Sequence, residues 1–139
     1  MISKLTNRLV DKLFPPEIIY IRLSKNAADV RNIKRGNSIK RVSPIKFSND
    51  RLIIADFSNA EKFLKECIAE LIPKKGILSK LLIIVIQPID ENMKKIAPVE
   101  KRTYLDSMEH LGAKKVFVIE EQKVLGKDEI LKLATQSSE

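Results

Sequence analysis

Residues 81–86, Leu-Leu-Ile-Ile-Val-Ile, are an unbroken apolar run between Lys80 and Gln87-Pro88. The run is far shorter than the roughly 18 apolar residues of a helix that crosses a bilayer. It also lacks the every-second-residue alternation of a strand with one wet face. Such a run suits a strand covered on both faces, which requires a sheet with a helical layer on each side. The rest of the sequence must supply both layers, and 139 residues suffice to do so within one domain.

The flanking segments fit that demand. EIIYIRL (17–23), AADVRNI (27–33) and SIKRVS (38–43) read as short strands, with Lys34-Arg35-Gly36-Asn37 as a turn. Short strands joined by tight turns predict an antiparallel meander. RLIIADF (51–57) is a further strand-like run that leads into a helix. Ser58 and Glu61 have the spacing of a capping box. Ala60, Leu64, Cys67, Ile68 and Leu71 then mark one apolar face, and Pro73 and Gly76 end the helix. Cys67 lies on that stripe and reads as a small core residue. Pro98 suits the first turn of a second helix, VEKRTYLDSMEHLG, closed by Gly112. VFVIEE (116–121) reads as a second central strand and KDEILKLA (127–134) as a last helix. The expectation is an α/β chain with a mixed (α+β) sheet, one domain over residues 17–134, and a frayed tail over 135–139.

Residues 2–14, ISKLTNRLVDKLF, predict an N-terminal amphipathic helix ended by Pro15-Pro16. Ile2, Leu5, Leu9 and Leu13 share a face, with Phe14 beside them, and Lys4, Arg8 and Lys12 form a basic stripe. That pattern fits either a membrane-surface helix or a helix packed on the domain's own sheet. Charge sharpens the question. Residues 1–51 hold 12 Lys/Arg against 4 Asp/Glu, and residues 52–139 hold 14 of each, so the whole net charge of +8 lies in the first part of the chain. A one-sided excess, including Arg22, Lys25, Arg31, Lys34, Arg35, Lys40 and Arg41, points to an anionic partner: lipid, nucleic acid or an acidic protein.

Chemistry is sparse. One cysteine and one histidine, His110, leave no disulfide framework and no multi-His zinc site. No P-loop, G-x-G-x-x-G or G-x-S-x-G motif is present. Asp90, Glu91 and Glu100 flank a loop where a hard cation is conceivable, although a solvated loop explains them as well. His110 near a helix C-terminus reads as a dipole partner. Charges among the first apolar residues argue against a signal peptide, so a soluble, cytoplasmic protein is expected, at most peripheral to the inner membrane.

The element order, and several segments, resemble the first lobe of the actin-like, ribonuclease-H-like fold in bacterial actins of the MreB type. IADFSNAEKFLKECI (54–68) resembles an MreB segment in which V-I-A-D-F precedes an E-K helix. Val99-Glu100-Lys101-Arg102, Leu111-Gly112-Ala113 and Val116-Phe117-Val118-Ile119-Glu120-Glu121 resemble its V-E-R-R, G-A and V-F-L-I-E-E run in order and spacing. The basic amphipathic start resembles the membrane-anchoring helix of Gram-negative MreB proteins. FSNDRLIIA (47–55) is also similar to a segment of short, stress-induced enterobacterial proteins.

The departures carry the functional expectation. MreB opens with an I-D-L-G-T phosphate loop whose aspartate organises Mg²⁺ and whose glycine lets the backbone approach phosphate. Here Ile21-Arg22-Leu23-Ser24-Lys25 stands at that place, with Arg22 for the aspartate and Ser24 for the glycine. A large insert after the meander is reduced to residues around 43–50. The second phosphate loop, adenosine site and second lobe are expected to be absent. Glu100 aligns with the residue that the resemblance casts as water-positioning, and reads here as a first-turn acid complementing the helix dipole. The resemblance therefore implies an MreB-like half-domain that binds rather than catalyses. It would have no cofactor, and would act on MreB or the rod-shape machinery at the membrane, in a setting of stress. The alternative is a basic nucleic-acid-binding module, against which stand 5% aromatic content and the absence of a recognition signature. The edge of such a lobe also makes a homodimer conceivable.

Overall fold

The sheet is built outward from β1 (Glu17–Ser24). A two-residue turn, Lys25-Asn26, folds the chain back into β2 (Ala27–Asn32), and a turn over residues 33–37 returns it as β3 (Ser38–Val42). β4 (Leu82–Pro88) lies on the other side of β1 and parallel to it, and β5 (Ala113–Val118) lies parallel to β4. The resulting order is β3-β2-β1-β4-β5. Helices α1 (Phe57–Leu71), α2 (Pro98–His110) and α3 (Lys127–Ala134) complete the fold. The structure is a computed structural model that describes residues 16–73, 81–92 and 95–136. This is the mixed α/β sheet that the sequence predicts. The expected helix over 2–14, with Ile2, Lys4, Leu5, Arg8, Leu9, Lys12, Leu13 and Phe14, lies outside the described residues, as do Gly76 and residues 137–139.

Alternation along β1 and β4 divides the interior into two layers. On one face Ile19, Ile21, Ile84 and Ile86 pack with Phe63, Leu64 and Cys67 of α1 and Met108 of α2. On the other, Ile18, Tyr20, Ile83 and Val85 pack with Leu125, Ile130 and Ala134, the last two from α3. The apolar run of β4 is thus covered on both sides, which is why it needs no polar alternation. A fully buried aliphatic side chain contributes about 1.5–3 kcal/mol, and β1 and β4 supply most of them.

Three expectations need correction. The first helix is capped by Asp56, whose carboxylate accepts from the Asn59 N–H at 3.0 Å. Ser58 lies inside the helix, and Glu61 turns instead to His110 Nδ1 at 2.8 Å. RLIIADF forms no strand: Ala55 and Asp56 N–H both donate to the Phe47 carbonyl, at 2.8 and 2.9 Å, which curls the segment under α1. The last strand is 113–118, at an edge of the sheet, where 116–121 was expected in its centre. Gly112, at φ +104, reverses the chain directly into β5. Beyond it, the carbonyls of Glu121 and Lys123 are drawn to the Gln87 side chain and leave the ladder.

Asn26, at φ +55, sits in the left-handed region that asparagine tolerates. Its side-chain oxygen accepts from Phe47 N–H at 2.8 Å and Ser48 N–H at 2.9 Å. Its own N–H donates to Ser48 Oγ at 2.9 Å. One turn residue therefore pins the loop that connects β3 to α1. At the opposite end of the sheet, buried Asn32 donates to Glu17 and to the Leu71 carbonyl, both at 3.0 Å, and Arg35 pairs with Glu17 at 2.9 Å. That cluster ties the meander to the last turn of α1.

Candidate functional site

Parallel neighbours β1 and β4 end side by side, and in open α/β sheets the crevice outside such carboxyl ends is where ligands bind. A cleft of about 750 Å³ lies there. Lys25 comes from the first turn, Asp50 and Arg51 from the loop before α1, Asp90 and Glu91 from the end of β4, and Glu100 and Tyr104 from α2. Charges of both signs face the cleft, so its field does not select a polyanion. Burial, with help from Glu100 and Asp90, pushes the Tyr104 phenol well above its ordinary range. Tyr104 is therefore a neutral wall at any physiological pH. Asp90, Glu91 and Glu100 do share this cleft. Among the described residues, however, no three acidic, His or Cys side chains converge as a metal site would require. Asp90 Oδ1 accepts the Asn92 N–H at 2.8 Å and so stabilises its own turn.

The polar groups at the strand ends are committed to one another. Arg22 Nε–H donates to Gln87 Oε1 at 3.0 Å and its Nη2 to the Gln122 carbonyl at 2.7 Å. The Tyr20 hydroxyl donates to the same Gln87 oxygen and accepts the Leu125 N–H at 3.1 Å. Gln87 Nε2 donates to the carbonyls of Glu121 at 2.8 Å and Lys123 at 2.7 Å. Gln122 in turn donates to Pro88 O at 3.1 Å and accepts from Asp90 N–H at 3.0 Å. Gln87 is fully buried, and every polar atom of its amide is used. The network latches residues 121–125 across the ends of β1 and β4. These residues do not fit the Mg²⁺-nucleotide that the corresponding phosphate loop of MreB-type actins serves. A guanidinium stands where a metal-organising carboxylate is required, and its Nε and Nη2 groups are engaged within the protein.

Of the seven basic side chains singled out in the sequence, only Lys25 lines the cleft. Arg22, Arg31 and Lys40 share the α3 side of the sheet through strand alternation, whereas Arg41 projects to the α1 side. Arg31 pairs with Asp29 at 2.9 Å. Arg41 forms a two-bond pair with Glu70, which holds the Glu70 carboxyl below its ordinary range. Lys25 Nζ donates to the Asp50 carbonyl at 3.1 Å. Lys34, Lys40 and Lys46 have no carboxylate partner among the described residues. Cys67 is buried on α1, and burial raises its thiol pKa. His110 is exposed and also lies against the Phe57 ring, centroids 6.0 Å apart. No described helix is long and apolar enough to cross a membrane. Sequence reasoning missed Tyr20, Gln87 and Gln122 as a set. The available signal was a glutamine closing an otherwise apolar strand.

The sequence matches the family described as MreB/Mbl protein over residues 24–128. It is similar to the Escherichia coli (strain K12) protein described as "Uncharacterized protein YjaA", with 29% identity over 89 residues, 61% of this chain and 68% of that one. Among solved structures it is similar to MreB5 of Spiroplasma citri bound to ADP, with 14% identity and a TM-score of 0.49. That match covers 76% of this chain, and this chain spans 38% of that one.

Proposed function

This chain belongs to the MreB/Mbl family, and from that premise we propose that it acts by binding a protein and not by turning over a nucleotide. The observation that carries the reading is the latch at the carboxyl ends of β1 and β4. Arg22 donates to Gln87 and Gln122 at the place where the family's phosphate loop has a carboxylate. The proposed partner is MreB itself or another component of the rod-shape machinery. The proposed place is the cytoplasmic face of the inner membrane, reached through the basic amphipathic segment 2–14, and the proposed setting is a stress response. Each Lys or Arg near an anionic leaflet contributes about 1 kcal/mol, so Lys4, Arg8 and Lys12 suit a weak anchor that a second contact reinforces.

The test is a crosslinked pull-down of the tagged full-length chain from the membrane fraction, with and without residues 1–14. Enrichment of MreB or shape proteins, lost on deletion and in a Leu9→Asp/Leu13→Asp variant, supports an anchored adaptor. Binding of labelled ATP at millimolar Mg²⁺ would contradict the non-catalytic reading. The second reading, a nucleic-acid module, draws on Lys34, Lys40 and Lys46, which have no carboxylate partner among the described residues. It predicts recovery of nucleic acid regardless of the deletion, and duplex binding that falls steeply with salt.

A further inference from the structure

We infer that the open edge of β3 is a strand-addition site for an acidic, extended segment of a partner protein; this rests on the binding role proposed above and gives it a surface. The backbone register supports the inference. The Asn32 N–H donates to Asn37 O at 2.9 Å, and the Ser43 N–H to Asn26 O at 2.7 Å. Bonded and non-bonded pairs alternate along an antiparallel ladder. Between those two bonds, Ile39 and Arg41 therefore turn their N–H and C=O groups toward β2, and Ser38, Lys40 and Val42 turn theirs outward. Among the described residues no strand lies beyond β3. Three outward residues in alternation are the template that β-augmentation uses.

Side chains select the occupant. Residues 25–46 carry seven basic groups against one acidic, Asp29. Lys40, at the centre of β3, has no carboxylate partner among the described residues. A second copy adding antiparallel about that centre would set Lys40 against Lys40, and like charges directly opposite are destabilising. An incoming Glu or Asp opposite Lys40 reverses that sign. Apolar anchors are present at the same edge: Val42 is 72% exposed and Ile45 48%. Lys40 and Val42 also border a shallow hollow of about 390 Å³ that has room for an incoming side chain. The lysines that guard this edge against its own kind thus favour a strand of opposite charge.

The test uses the full-length ¹⁵N-labelled chain and a fluorescein-labelled peptide of four Glu-Val repeats. The expected result is new amide-exchange protection at Ser38, Lys40 and Val42, with Ile39 and Arg41 unchanged because they are already bonded. Lys40→Pro removes an N–H that the fold does not use and a charge. It should bind about tenfold more weakly at an unaltered thermal midpoint. Lys40→Glu leaves the backbone intact; it should lose the peptide by a similar factor and gain one of Lys-Val repeats. The inference is overturned by no binding, by binding without protection of those three amides, or by undiminished binding to Lys40→Glu. It is equally overturned if self-association, duplex DNA or anionic vesicles protect the same amides in preference to the peptide. None of these outcomes involves MreB or residues 1–14, so failure here is distinct from failure of the pull-down.

Discussion

Asn26 holds two unrelated demands in one side chain. Its backbone is left-handed, and its amide oxygen satisfies two N–H groups of the following loop. Glycine would meet the first demand and not the second. Asn26→Gly is therefore expected to lose about 1–3 kcal/mol, while Asn26→Asp, which keeps the acceptor, stays within about 1 kcal/mol of the parent; urea unfolding distinguishes them. Titration offers a second expectation. The Cys67 thiol and Tyr104 phenol both sit above their ordinary values of 9.0 and 10.0, in each case chiefly through burial. Both groups hold their protons more tightly folded than unfolded. Stability is then full below about pH 9 and declines as pH rises through 9 and 10. Thermal midpoints measured from pH 7 to 11 should show that decline, and Tyr104→Phe should flatten its upper part.

Elements were legible in the sequence to the extent that their signals were local and unopposed. α3 was read to the residue, because its apolar face over 127–134 has no competing start. α1 was read with the wrong cap, because Asp56 and Ser58 are both good cap residues and the choice depends on where Phe47 draws the preceding loop. β5 was misplaced because its start depends on the Gly112 reversal and its end on Gln87, which lies in another strand. The same long-range dependence hid the latch: Tyr20, Gln87 and Gln122 are far apart in sequence, and only the parallel register of β1 and β4 brings the first two together. Gln87→Ala would remove the acceptor of the Tyr20 O–H and of an Arg22 N–H, and the donor to two carbonyls. It should cost at least about 1–3 kcal/mol and speed amide exchange at Leu125, whose N–H relies on that hydroxyl.

For the molecule as a whole, β4, like its neighbour β1, belongs to both interiors. Ile84 faces α1 and α2, and Val85 faces the α3 side. Neither layer can melt while the other keeps β4 in place, so unfolding is expected to be a single transition. Ile84→Ala should cost about 2–5 kcal/mol. Val85→Ala, on the opposite face, should lower the same midpoint without exposing an intermediate, as coincident far- and near-ultraviolet dichroism would show. The position of β4 also has a consequence for synthesis. β1 is complete at Ser24, but its parallel neighbour begins only at Leu82. At roughly 5–20 residues per second, a nascent chain carries that apolar strand with one side bare for several seconds on the ribosome. A chain built this way makes its demand on chaperones before β4 has been made.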